Sequence, residues 1–67
     1  MSESAWNDHL RYLEDELKKM SERADKLEEM IATAEGPQKK LALREIVSHL
    51  RDEISDLRKY LALVKPA

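Results

Sequence analysis

Apolar residues recur along this chain by steps of four and three. From Trp6 they fall at Leu10, Leu13, Leu17, Met20, Ala24, Leu27, Ile31 and Ala34. That alternation is the heptad seam of a coiled-coil helix, in which positions a and d of each seven-residue repeat abcdefg face a partner. With Leu10 at a, Leu17, Ala24 and Ile31 are a as well, and Trp6, Leu13, Met20, Leu27 and Ala34 are d. A second seam runs through Leu43, Val47, Leu50, Ile54, Leu57, Leu61 and Val64, with Val47, Ile54 and Leu61 at a. The pattern predicts two helices, over about 4–34 and about 38–64, within one hairpin spanning 1–67.

Between the seams lies Ala34-Glu35-Gly36-Pro37-Gln38, which holds the only glycine of the chain. Gly36 can take the left-handed conformation that ends a helix. Pro37 cannot continue one without losing a hydrogen bond, yet suits the first position of the next. The turn is therefore expected at 35–37. Ser2 and Ser4 are candidate N-caps of the first helix, and Pro66 is expected to end the second. At about 1.5 Å per residue each helix should be about 40–45 Å long.

Folding back at the turn sets a residues of one helix opposite d residues of the other. The pairs are Ile31 with Leu43, Leu27 with Val47, Ala24 with Leu50 and Met20 with Ile54, then Leu17 with Leu57, Leu13 with Leu61 and Leu10 with Val64. The flanking e positions then pair Glu28 with Arg44, Ser21 with Arg51, Glu14 with Arg58 and Asn7 with Lys65. The central g pair is Arg23 with Glu53. No like charges meet. A continuous helix through the turn, exchanging arms between two chains, is the competing arrangement. The expected fold class is all-α: a two-helix antiparallel coiled-coil hairpin, completed as a four-helix bundle by dimerisation.

The apolar residues outside the seam lie together. Tyr12, Ala42 and Leu63 are at c; Met30, Ile46 and Tyr60 are at g, and c adjoins g on the helical wheel. The opposite e/b flank is charged or small and polar: Arg11, Glu14, Lys18, Ser21, Glu28, Arg44, Ser48, Arg51, Ser55 and Arg58. Leu41, at b, is the exception, expected to fold over the turn. Scattered apolar residues on a surface are ordinary; six on one flank of so small a chain predict an association face. Two hairpins packed through that flank would form the four-helix bundle. The expected binding residues are Tyr12, Met30, Ala42, Ile46, His49, Tyr60 and Leu63. Trp6, near the open end beside Val64 and Lys65, is expected to cover the mouth of the hairpin.

Composition narrows the function. The chain has 67 residues, 39% of them charged, with no cysteine and no phenylalanine. So small a core seldom supplies more than about 3–5 kcal/mol without a staple. Lacking cysteine, neither a disulfide nor a thiolate metal site can be that staple, which leaves oligomerisation or a partner. The net charge of −2 divides unevenly. Residues 1–35 hold five Lys/Arg and ten Asp/Glu, while residues 36–67 hold seven and four, so the halves attract. No apolar run approaches the roughly 18 residues of a membrane span. The first residues lack the basic and apolar regions of a signal peptide, so a cytoplasmic location is expected.

No catalytic residue, cofactor site or metal site is expected. Glu45, His49 and Glu53 share one stripe of the second helix, but their spacing is one residue longer than the Glu-x-x-His of carboxylate-bridged bundles, and they lie outside the seam. They read as a solvated histidine with helical charge neighbours. Placed at the rim of the association face, His49 would tie self-association to its protonation at about pH 6–7. Ser21, Ser48 and Ser55 lack an orienting base. The adjacent pairs Asp15-Glu16, Glu28-Glu29 and Asp52-Glu53 diverge around the helix, so none forms the dyad of acid–base catalysis. A basic stripe, Arg11, Lys18, Lys19 and Lys26, follows one face of the first helix, the feature a nucleic-acid partner would use. Asp15, Glu22, Asp25 and Glu29 interrupt it, and Tyr12 is the one stacking residue beside it.

In layout the chain is similar to plasmid copy-control RNA-binding hairpin dimers and to the small co-chaperones of type III secretion needle subunits. The likeness covers architecture, with no shared motif. The function expected is a non-enzymatic protein–protein interaction module: self-association, or adaptor- or chaperone-like binding of a partner helix. The partner is a second copy or an amphipathic helix of another protein. The alternative is a small regulatory RNA-binding hairpin dimer; a nucleic-acid partner ranks below a protein one, and no membrane is expected.

Overall fold

A computed structural model describes residues 3–65. It holds two helices, α1 (Glu3–Thr33) and α2 (Pro37–Val64), packed against each other as a hairpin within one chain. Ser2 and Pro66 lie outside the described residues. Ser4 is inside α1, not at its cap, because regular helix already begins at Glu3. The acidic side chain of Glu3 in the first turn suits the positive end of the helix dipole.

The end of α1 is closed by a side chain. The Thr33 hydroxyl donates to the carbonyls of Glu29, at 3.4 Å, and Met30, at 3.3 Å, two acceptors near the helix end that lacks further backbone partners. The Ala34 N–H bonds back to the Ile31 carbonyl at 3.3 Å, a tightened last turn. Gly36 has φ 91 and ψ 142, so its backbone is positive in φ but extended, not left-handed helical. It serves as the N-cap of α2 rather than as the terminator of α1, because its carbonyl accepts the Lys40 N–H at 3.4 Å. Pro37 follows as the first residue of α2, where its missing N–H leaves no partner unmet.

The short turn makes the helices antiparallel, and ion pairs across the seam mark their register. Lys65 Nζ lies 2.7 Å from Glu14 Oε1, and Arg51 Nη2 lies 2.8 Å from Glu28 Oε1 and 3.0 Å from Asp25 Oδ1. From Glu14 to Glu28 is 14 residues up α1 (28 − 14), and from Lys65 to Arg51 is 14 residues down α2 (65 − 51), so one register holds over two heptads.

These pairs correct the expected rungs. Glu28 meets Arg51 rather than Arg44, and Glu14 meets Lys65 rather than Arg58, each partner seven residues later (51 − 44; 65 − 58). Ser21 and Asn7 thereby lose the partners expected for them. The cause is the lean of helical side chains toward their own N-terminus. In an antiparallel pair the two leans are opposite, so charged tips meet only when both Cα atoms lie further along their helices. Among the described residues no ion pair joins Arg23 to Glu53.

The molecule is a rod, 52 × 19 × 15 Å, with a radius of gyration of 15.6 Å. A compact chain of this length would have about 11 Å. Two helices side by side make a seam, not a closed core, and burial shows it. The buried residues among those described are Leu10, Ala24, Val47, Ile54 and Leu61, every one at an a position, while the a residues Leu17 and Ile31 are half-buried. Every d residue, from Trp6 to Val64, is only half-buried.

Candidate functional site: the open c/g flank

On a helical wheel a adjoins e, and d adjoins g. The more deeply buried a rows therefore border the charged e/b flank, where Arg51, Asp25 and Glu28 form their cluster. The half-open d rows border the c/g flank. This asymmetry follows from what stands beside each row. Arg51 bridges the e/b side by its pairs with Glu28 and Asp25 across the seam, and no third layer covers the d side.

On that open side stand the large exposed apolar residues. Leu63 is 85% exposed, Tyr12 62%, Ile46 51%, Met30 48% and Tyr60 38%. Ala42 and His49 are also exposed. Together with the half-buried Leu13, Met20, Leu27, Leu43, Leu50 and Leu57 they run the length of the rod. At the turn end the flank dips into an open concavity of about 590 Å³ whose lining includes Met30, Ala34, Ala42 and Leu43.

The remaining residues singled out above sort as follows. Leu41 stands 60% exposed at b and does not fold over the turn. The Trp6 indole is half-buried and lies against the His9 ring, with centroids 5.7 Å apart and planes tilted 39°. Among the described residues no group of three or more His, Cys, Asp or Glu side chains could hold a metal ion; Glu45, His49 and Glu53 do not converge. The basic stripe of α1 is partly engaged, with Lys19 held by Asp15 at 3.5 Å and by Glu16 at 3.9 Å. No helix among the described residues is long and apolar enough to cross a membrane.

The half-burial of the whole d row was not read from the sequence, because a heptad pattern treats a and d alike. The signal was nonetheless there, since the large apolar residues beyond the seam, Leu41 apart, all stand on the d side. Comparison with protein-family models, with curated proteins and with solved structures finds no match for the chain, so the functional reading is built on the geometry of this flank.

Proposed function

We propose that the chain is a non-enzymatic helical interaction module whose working surface is the c/g flank. It acts by self-association, as a homodimer forming a four-helix bundle, or by adaptor- or chaperone-like docking of an amphipathic partner helix, in the cytoplasm. The observation that carries the reading is the coincidence of a half-buried d row with exposed Tyr12, Met30, Ile46, Tyr60 and Leu63 beside it. A helix laid on this flank would bury both sets at once, the helix-in-groove mode of recognition. About 1.5–3 kcal/mol is the ceiling for each large side chain so covered, since part of each is already out of water.

The test is the solution mass of Ile46→Glu by light scattering, with helicity followed by circular dichroism. The substitution should lower the mass while leaving the helical signal largely intact. Equal masses for variant and parent would count against the flank as an association surface.

The second reading, regulatory RNA binding through Arg11, Lys18, Lys19 and Lys26, is weakened by the ion pairs that already hold Lys19. It predicts an affinity that falls steeply with salt and is lost when Lys18, Lys19 and Lys26 become Gln.

A further inference from the structure

Within the c/g flank the exposed apolar residues stand toward the two ends and the charges between them. On α1, moving from the open end to the turn, Tyr12 is followed by Lys19, Arg23 and Lys26, then by Met30. On α2, in the same direction, Leu63 and Tyr60 are followed by Asp56, Glu53 and His49, then by Ile46. The middle of the flank is thus basic on α1 and acidic on α2. Among the described residues Arg23, Lys26, Glu53 and Asp56 make no ion pair within the chain. Glu16 is the one acid interrupting the α1 row, and it already faces Lys19.

We propose that a second copy of the chain covers this flank, with the two-fold axis running along the length of the rod. Both turns then lie at the same end, and α1 of each copy lies over α2 of the other. The inference rests on the flank being an association face and adds its occupant and orientation. In this arrangement Arg23 meets the partner's Glu53, Lys19 meets the partner's Asp56, and Tyr12 and Met30 meet the partner's Leu63 and Ile46. Every contact occurs twice, as a two-fold interface requires.

The other two-fold packing places the turns at opposite ends and sets each helix against its own copy. Glu53 and Asp56 then face the partner's Glu53 and Asp56, and Lys19 and Arg23 face their counterparts. Like charges in juxtaposition select against an arrangement. Area points to a partner as well. The chain exposes 5468 Å², whereas a compact monomer of its mass would expose about 4,400 Å². The surplus, about 1,100 Å², compares with the ~800 Å² per partner of a stable interface.

The chain has no cysteine, so Gln38→Cys gives a single spin-label site on the exposed first turn of α2. Dipolar spectroscopy of the labelled protein should read an inter-label distance of about 10–25 Å, one or two helix spacings plus the label arms. A distance near the 52 Å length of the rod would overturn the orientation while leaving self-association intact. A single-chain mass at every concentration would overturn the association itself.

A second measurement separates pairing between copies from pairing within one. Arg23→Glu and Glu53→Arg chains each carry like charges at the 23/53 rung, and only a mixed dimer relieves them across the interface. Mixing them in equal amounts should raise the ratio of heterodimer to homodimers roughly fivefold above its statistical value in native mass spectrometry at low salt. A statistical mixture would overturn the proposed contacts.

Discussion

Arg51 reaches across the seam to Glu28 by two hydrogen bonds, Nη2 to Oε1 at 2.8 Å and Nε to Oε1 at 3.3 Å, while the same Nη2 donates to Asp25. The Glu28 bond, then the Asp25 bond, raises the Arg51 pKa above its ordinary value. A raised folded value means that the contribution of the cation is fully present below the unfolded value. It is lost only as pH rises through the folded one, beyond the ordinary arginine range. Arg51 therefore brings no pH dependence of its own between about pH 5 and 9.

A double-mutant cycle on Glu28→Gln and Arg51→Gln should show favourable coupling in thermal unfolding that fades as salt is added, since both side chains are solvated. The matching cycle on Glu28 and Arg44 should show none. Coupling of Glu28 to Arg44 would mean that the charged rungs sit where the bare heptad alignment puts them.

Ile54 is 2% exposed, the most deeply buried large side chain of the a rows among the described residues. Ile54→Ala should cost about 2–5 kcal/mol in urea unfolding, a large part of the stability available to so small a domain. The expected observable is loss of a folded baseline near room temperature. A cost below about 0.5 kcal/mol would contradict the a-side core.

Gly36 holds a positive φ of 91, and a Cβ built on it would meet nothing within 4 Å. The penalty for Gly36→Ala is therefore conformational rather than steric, about 1–3 kcal/mol. It should appear as a lower midpoint with an unchanged denaturant slope. Equal stability of variant and parent would show that the turn relaxes to a negative φ.

Leu63 is 85% exposed, so Leu63→Ser should leave the stability of the isolated hairpin within about 0.5 kcal/mol. Its effect should fall on association, read as a higher concentration for dimer formation in sedimentation. A variant that associates like the parent would remove Leu63 from the interface.

How much was legible in advance depended on the range of the interaction. Two helices broken at Gly36-Pro37, and a seam of alternating fours and threes, follow from local rules: backbone preference at two residues and the 3.6-residue period. The crowding of Tyr12, Met30, Ile46, Tyr60 and Leu63 on one flank was legible for the same reason. The charged rungs were not, because their partners depend on where long side chains end rather than where their Cα atoms lie, and the lean moved each by a heptad.

Sequence alone determined that this chain is two amphipathic helices with one wet flank and one flank where the leftover large apolar residues gather, since periodicity and residue type act within a single helix. Only the tertiary structure decided that every buried residue lies in the a rows while the whole d row stays half-open. That difference arises when two cylinders meet along a line, which covers one side of the seam more deeply and leaves the other for a further layer.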